Sequence, residues 1–149
     1  MTPLSLVALA LAMIGLACGQ ERVLNIFLEK KATPSFSFSG SALATDFEIL
    51  ELPQTRPLKK TSPFSFKGET IWKISPPERM KVDEWPGITY GDLPNGFSQS
   101  MPEHGAPPKL AEGKLYVARI VESKDSQSVL FFEIRRGRAV DVSDEVLGP

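Results

Sequence analysis

Apolar and polar residues alternate with a period of two in several separate stretches of this chain. That is the mark of strands lying with one face against a core. The clearest stretch is Pro34-Ser-Phe-Ser-Phe-Ser-Gly40, where Phe36 and Phe38 alternate with Ser35, Ser37 and Ser39. Thr70-Ile-Trp-Lys-Ile74 sets Trp72 and Ile74 on one face and Lys73 on the other, in residues that favour strands. In Lys114–Val121, Tyr116, Ala118 and Ile120 share a face; after the polar connection Lys124–Ser128, Leu130, Phe132 and Ile134 point inward and Glu133 outward. Asp46–Leu52 carries Phe47 and Ile49 on one face and Leu50 and Leu52 on the other, which predicts two covered faces or a bulge. Phe64 and Phe66 alternate in Pro63–Lys67, and Ala139–Val142 adds a short last strand after a turn at Arg136-Gly137. Val23–Leu28 fits a strand or a short helix.

About seven strands separated by turn signals, with no amphipathic helix of three turns, predict an all-β domain. The size and the central Trp72 strand resemble an immunoglobulin or fibronectin-III β-sandwich, and a small β-barrel is the alternative. The domain is expected over residues 23–143, with 144–149 as a frayed tail. Between Pro76 and Pro108 the regular pattern gives way to a long Pro/Gly-rich loop in which only Ile88-Thr89-Tyr90 reads as extended.

A different pattern occupies the start. Met1–Ala17 has no charged side chain, and its apolar run from Leu4 to Ala17 is shorter than the roughly 20 residues that cross a bilayer as a helix. Residues 1–17 therefore read as a signal peptide. Cys18, the only cysteine, follows at once. Gly15-Leu16-Ala17-Cys18 resembles the lipobox of bacterial lipoproteins. The resemblance implies cleavage before Cys18, lipid on its sulfur and amine, and a short tether over residues 18–22. It places the protein in the bacterial cell envelope, held in the bilayer through Cys18. Gly19, where an Asp would favour retention in the inner membrane, favours the outer membrane. Ordinary signal peptidase would cut at the same bond, the difference being whether Cys18 is acylated.

Charge is balanced, with Lys+Arg 17 against Asp+Glu 18, which argues against nucleic acid as a partner. Without a second cysteine the fold has no internal disulfide to lean on. His104 is the only histidine, so a zinc centre lacks ligands and no metal or other cofactor is expected. No Gly-x-Ser-x-Gly nucleophile turn and no phosphate-cradling loop is present. Asp83, Glu84, Asp92 and Glu103 all lie in the long loop. A pair of them facing each other in a cleft could hydrolyse a glycan of the cell envelope, which is the alternative activity.

The favoured expectation is a binding or structural module, without catalytic residues, whose partner is another envelope protein. Its candidate binding loop carries Trp85, Tyr90 and Phe97 on a path stiffened by proline. That loop either meets the partner or folds back to cap the sandwich. Exposed aromatics would mark recognition, and buried ones would mark scaffold.

Overall fold

A computed structural model describes residues 24–53, 67–78, 80–123 and 126–147. The leader, Cys18 and the Phe64–Phe66 strand expected from sequence lie outside the described residues.

Among those residues the chain forms nine strands: β1 Asn25–Glu29, β2 Ser35–Ser39, β3 Asp46–Leu52, β4 Glu69–Ser75, β5 Ile88–Thr89, β6 Ser98–Met101, β7 Leu115–Ser123, β8 Ser126–Arg135 and β9 Arg138–Asp141. They build two antiparallel sheets, β1-β2-β5 and β6-β4-β3-β7-β8-β9, packed face to face. The all-β sandwich expected from the alternation is present, and neither sheet closes into a barrel. Its layers hold three and six strands, where the immunoglobulin division is typically four and three.

The alternating residues do what their period demands. Phe36 reaches from the small sheet to Phe47 and Phe132 of the large one, with ring centroids 5.3 and 5.6 Å apart. Phe38 meets Phe47 at 5.3 Å, and Phe47 in turn meets Trp72 at 6.2 Å. Ile49, Ile74, Ala118 and Ile120 complete the inner layer and are inaccessible to water. Each large apolar side chain removed from water in this way contributes about 1.5–3 kcal/mol.

The double-faced pattern of β3 has both explanations at once. A register shift against β4 lies between Ile49 and Leu50. Leu50 and Leu52 face away from the sandwich interior and join Leu115, Val117 and Phe131 in a second apolar cluster. Its cover is α1, Ser143–Leu147, the segment expected to be a frayed tail. Val142 and Val146 pack into the cluster, and the Phe131 N–H donates to Ser143 Oγ at 3.0 Å. Beside this cover the outer face carries a charged row across three strands. Glu48 is paired in register with Lys73 on one side and Arg119 on the other. Lys73 Nζ lies 3.2 Å from Glu48 Oε1, and Arg119 Nε donates to Glu48 Oε2 at 3.0 Å.

Two cross-sheet bonds fix how the layers align. Ser128 Oγ donates to the Leu24 carbonyl at 3.0 Å, and the Ala139 N–H donates to the Lys31 carbonyl at 3.0 Å. Leu24 leads into β1, so these bonds define a lower end, where the chain joins the domain, and an upper end beyond Glu29. Six residues of β8 separate Ser128 from Ile134, about 20 Å at the rise of an antiparallel strand.

Candidate functional site

The expected binding loop is woven into the sandwich. It contains the 3-10 turn Val82–Glu84 as well as β5 and β6. The turn is tied to the lower end by the Val82 N–H to the Ala42 carbonyl at 3.0 Å and the Asp83 N–H to the Gly40 carbonyl at 2.9 Å. Trp85 then crosses under β2, with its ring edge-on to Phe38 at 5.4 Å and to Phe97 at 5.8 Å. Tyr90 sits edge-on to Trp72 at 5.4 Å. Trp85, Tyr90 and Phe97 are 7%, 9% and 7% exposed. Of the two readings the sequence left open, partner contact and capping, the burial of these three rings favours capping: they are core residues. The physical reason is area. An aromatic ring left on a loop loses more by staying wet than the loop backbone loses by folding back.

The outward residues of the same region are others. At the upper end, Pro34, Tyr90, Pro107, Pro108, Leu110 and Ile134 line a concavity of about 350 Å³, with the exposed Lys109 also in its wall. Tyr90 shapes it from below. Its hydroxyl donates to the Pro108 carbonyl at 2.6 Å, which holds the proline pair across the opening. Gly91 follows with φ +84°, a left-handed conformation that lets the chain turn sharply beside Pro107. A second phenol fixes the next segment: the Ala111 N–H donates to Tyr116 Oη at 2.8 Å.

Both phenols stay protonated. Burial pushes the Tyr90 hydroxyl far above the usual tyrosine value, and the nearby Tyr116 and Glu51 add to the effect. Tyr116 is pushed up by burial too, against the opposing pull of the Ala111 N–H. Neither can serve as a phenolate base near neutrality. Glu51, opposite Tyr116 in the β3–β7 register, accepts a hydrogen bond from Lys114 Nζ. That bond holds the Lys114 ammonium above its ordinary pKa.

Glu51 also stands opposite Glu69 in the β3–β4 register, and both line a broad concavity of about 790 Å³ with Lys67 and Gly68. This is where two acids meet. The loop acids singled out from sequence do not converge in this way. Asp83, Glu84 and Asp92 are exposed, and Glu84 is engaged with the backbone N–H of Lys81 at 2.9 Å. His104 and Glu103 are both almost wholly in solvent, with Nε2 and Oε1 3.9 Å apart. Among the described residues no group of three His, Cys, Asp or Glu side chains is placed to hold a metal. The chemistry of the domain thus gathers at its upper end, in a proline-walled groove next to the Glu51–Lys114–Glu69 cluster. Pro107, Pro108 and Leu110 had one signal in the sequence: an apolar, proline-dense run that leads into a strand without joining it.

Comparison with known protein families, curated proteins and solved structures finds no match to this chain.

Proposed function

We propose that this chain is a lipid-anchored protein of the bacterial cell envelope, held in the bilayer by an acylated Cys18 and acting as a binding or structural module. The observation that supports it most directly is the polarity of the sandwich. The chain joins the domain at the lower end through Leu24, six residues after Cys18, while the concave surfaces built from Pro107, Pro108, Leu110, Glu51 and Glu69 lie at the opposite end. A domain mounted this way offers its shaped surface away from its anchor. The partner is another envelope protein, met at the upper groove with Pro107–Leu110 in contact. Tyr90 serves it by holding that wall through the Pro108 carbonyl, while Trp85 and Phe97 pack in the core.

The anchor is tested by fractionation. Metabolic labelling with a palmitate analogue should mark the wild-type chain and leave Cys18→Ala unlabelled and released from the membrane fraction. A Cys18→Ala chain that stays in the membrane overturns the anchor. The groove is tested with a photo-crosslinking amino acid at Lys109 in intact cells. A discrete adduct that vanishes with Leu110→Asp supports the module; no adduct above background removes it.

The second reading, hydrolysis of an envelope glycan, is favoured by the facing pair Glu51 and Glu69. Lys114 already engages Glu51, which weighs against this reading, since such hydrolysis needs two available carboxylates. Purified protein that lyses cell-wall material, and loses that activity in Glu69→Gln, would displace the module reading.

A further inference from the structure

We infer that the lower end of the sandwich lies on the lipid surface itself, with Leu43 set into the boundary between headgroups and acyl chains. The inference rests on the anchored reading above and adds to it an orientation and a contact surface. Its first support is chain length. Six peptide steps from Cys18 to Leu24 reach at most about 21 Å, whatever conformation they take. The upper end stands about 20 Å beyond Leu24 along the strands. The tether thus keeps the lower end close to an anchor at Cys18 and leaves the upper groove clear of it.

The second support is what the lower end presents. Leu43 is 51% exposed, in the turn that follows β2, whose last residue Ser39 is the register partner of Asn25. The turn is braced by a bridge between Leu43 and Lys81 and by the Thr45 N–H to the Val121 carbonyl at 2.8 Å, so the leucine is held out by a fixed backbone. Around it, Ala44, Pro76, Pro77 and Met80 line a shallow concavity of about 480 Å³. Phe27, 53% exposed, points outward from β1 two residues past Asn25. Leu43 thus lies at the end where the chain joins the domain, and Phe27 stands midway along β1, three residues past Leu24. An apolar patch beside a membrane tether meets lipid at high effective concentration.

The charges decide the character of the contact. Glu78 and Glu122 line the same concavity, and the exposed Lys81 stands opposite Leu43 in the bridge. Among the described residues this is not a basic patch seeking anionic headgroups, so the contact is apolar and does not weaken in high salt.

The experiment uses the full-length lipidated protein, reconstituted into phosphatidylethanolamine/phosphatidylglycerol vesicles. With Cys18 acylated, Leu43→Cys and, separately, Lys109→Cys take one environment-sensitive NBD label each. The label at position 43 should emit at shorter wavelength and be quenched several-fold more strongly by spin-labelled lipid than the label at 109, in low and high salt alike. Equal, water-like signals on protein that floats with the vesicles overturn the orientation and leave the anchor standing. Stronger quenching at 109 means the groove faces the membrane, which also overturns it. Quenching at 43 that disappears in high salt replaces the apolar contact with an electrostatic one. Protein that fails to float with the vesicles removes the anchor and this inference together. Phe27→Cys, labelled in the same way, guards against a local effect at position 43: it should show intermediate quenching, and a water-like signal there confines the contact to the Leu43 turn.

Discussion

The two ends of this sandwich are closed by different means. At the lower end the turn after β2 is tied mainly by backbone: the Ala42, Gly40 and Val121 carbonyls accept from the N–H groups of Val82, Asp83 and Thr45, with the Ser128 and Thr45 hydroxyls adding to them, and Leu43 faces outward. At the upper end backbone bonds such as Ala139 N–H to the Lys31 carbonyl join the layers, but the segment over the opening is held by side chains: the hydroxyls of Tyr90 and Tyr116 hold the Pro108 carbonyl and the Ala111 N–H. Backbone closure tolerates almost any side chain around the concavity at Leu43. Phenol closure depends on two particular residues and leaves a shaped groove beside them. The difference teaches that exposure of aromatics is a poor guide to function in a small β domain, because the aromatics are needed to build the wall that function uses.

Substitutions that break or sharpen this contrast are expected in a definite order. Phe47→Ala is the most damaging, since that ring touches Phe36, Phe38 and Trp72 and ties both ends to one core. It should cost about 3–5 kcal/mol in urea unfolding, and both ends should lose hydrogen-exchange protection together. Glu48→Ala comes next. It strips Lys73 and Arg119 of their shared, nearly buried carboxylate and should cost about 1.5–3 kcal/mol. Because Glu48 lies midway along β3, protection at the two ends should fall equally.

Tyr90→Phe separates the ends. Removing the hydroxyl leaves the Pro108 carbonyl without its donor and should cost about 0.5–1.5 kcal/mol, with faster exchange at Ala111 and unchanged exchange at Val82. The same variant has a pH signature. Burial makes the Tyr90 hydroxyl ionise at a higher pH folded than unfolded, so above about pH 10, the ordinary tyrosine value, the unfolded state releases its proton first. The stability tied to Tyr90 is full below that pH and is lost as pH climbs toward the folded value. Urea midpoints taken at about pH 8 and about pH 11 should fall further for the wild type than for Tyr90→Phe. An equal fall places the alkaline sensitivity elsewhere.

Smallest of all is Glu145→Ala. It removes the exposed pair with Arg135, whose Nη2 lies 2.7 Å from Glu145 Oε2. It should cost under about 1 kcal/mol and fade in salt. A larger loss would show that α1 depends on this pair more than on Val146.

Much of the fold was legible because a strand with one dry face records that fact residue by residue. Phe36 and Phe38, Trp72 and Ile74, and the facing sets on β7 and β8 stand where their alternation put them. Strand β6, Ser98-Gln-Ser-Met101, was not legible. It is an edge strand with little to bury, so it has no apolar period to read. The helix α1 escaped for a different reason: five residues are too few to show a helical repeat, and only the apolar outer face of Phe131, Leu50 and Val117 explains why Val146 turns back. The candidate site was half legible. The loop that builds it stood out through its prolines, but which of its residues face water did not.

The sequence by itself determined the class of fold, the inward face of most strands, the doubling at β3 and the β8–β9 turn at Arg136-Gly137. These follow from local rules of period, chirality and turn conformation that act within a few residues. Only the tertiary structure decided that Trp85, Tyr90 and Phe97 are core rather than surface, that Glu51 stands opposite Glu69 instead of the loop acids meeting one another, and that the groove and the point where the chain joins the domain lie at opposite ends. Those outcomes depend on contacts between segments tens of residues apart. There the area available for burial settles which side a ring takes, and no local pattern carries that information.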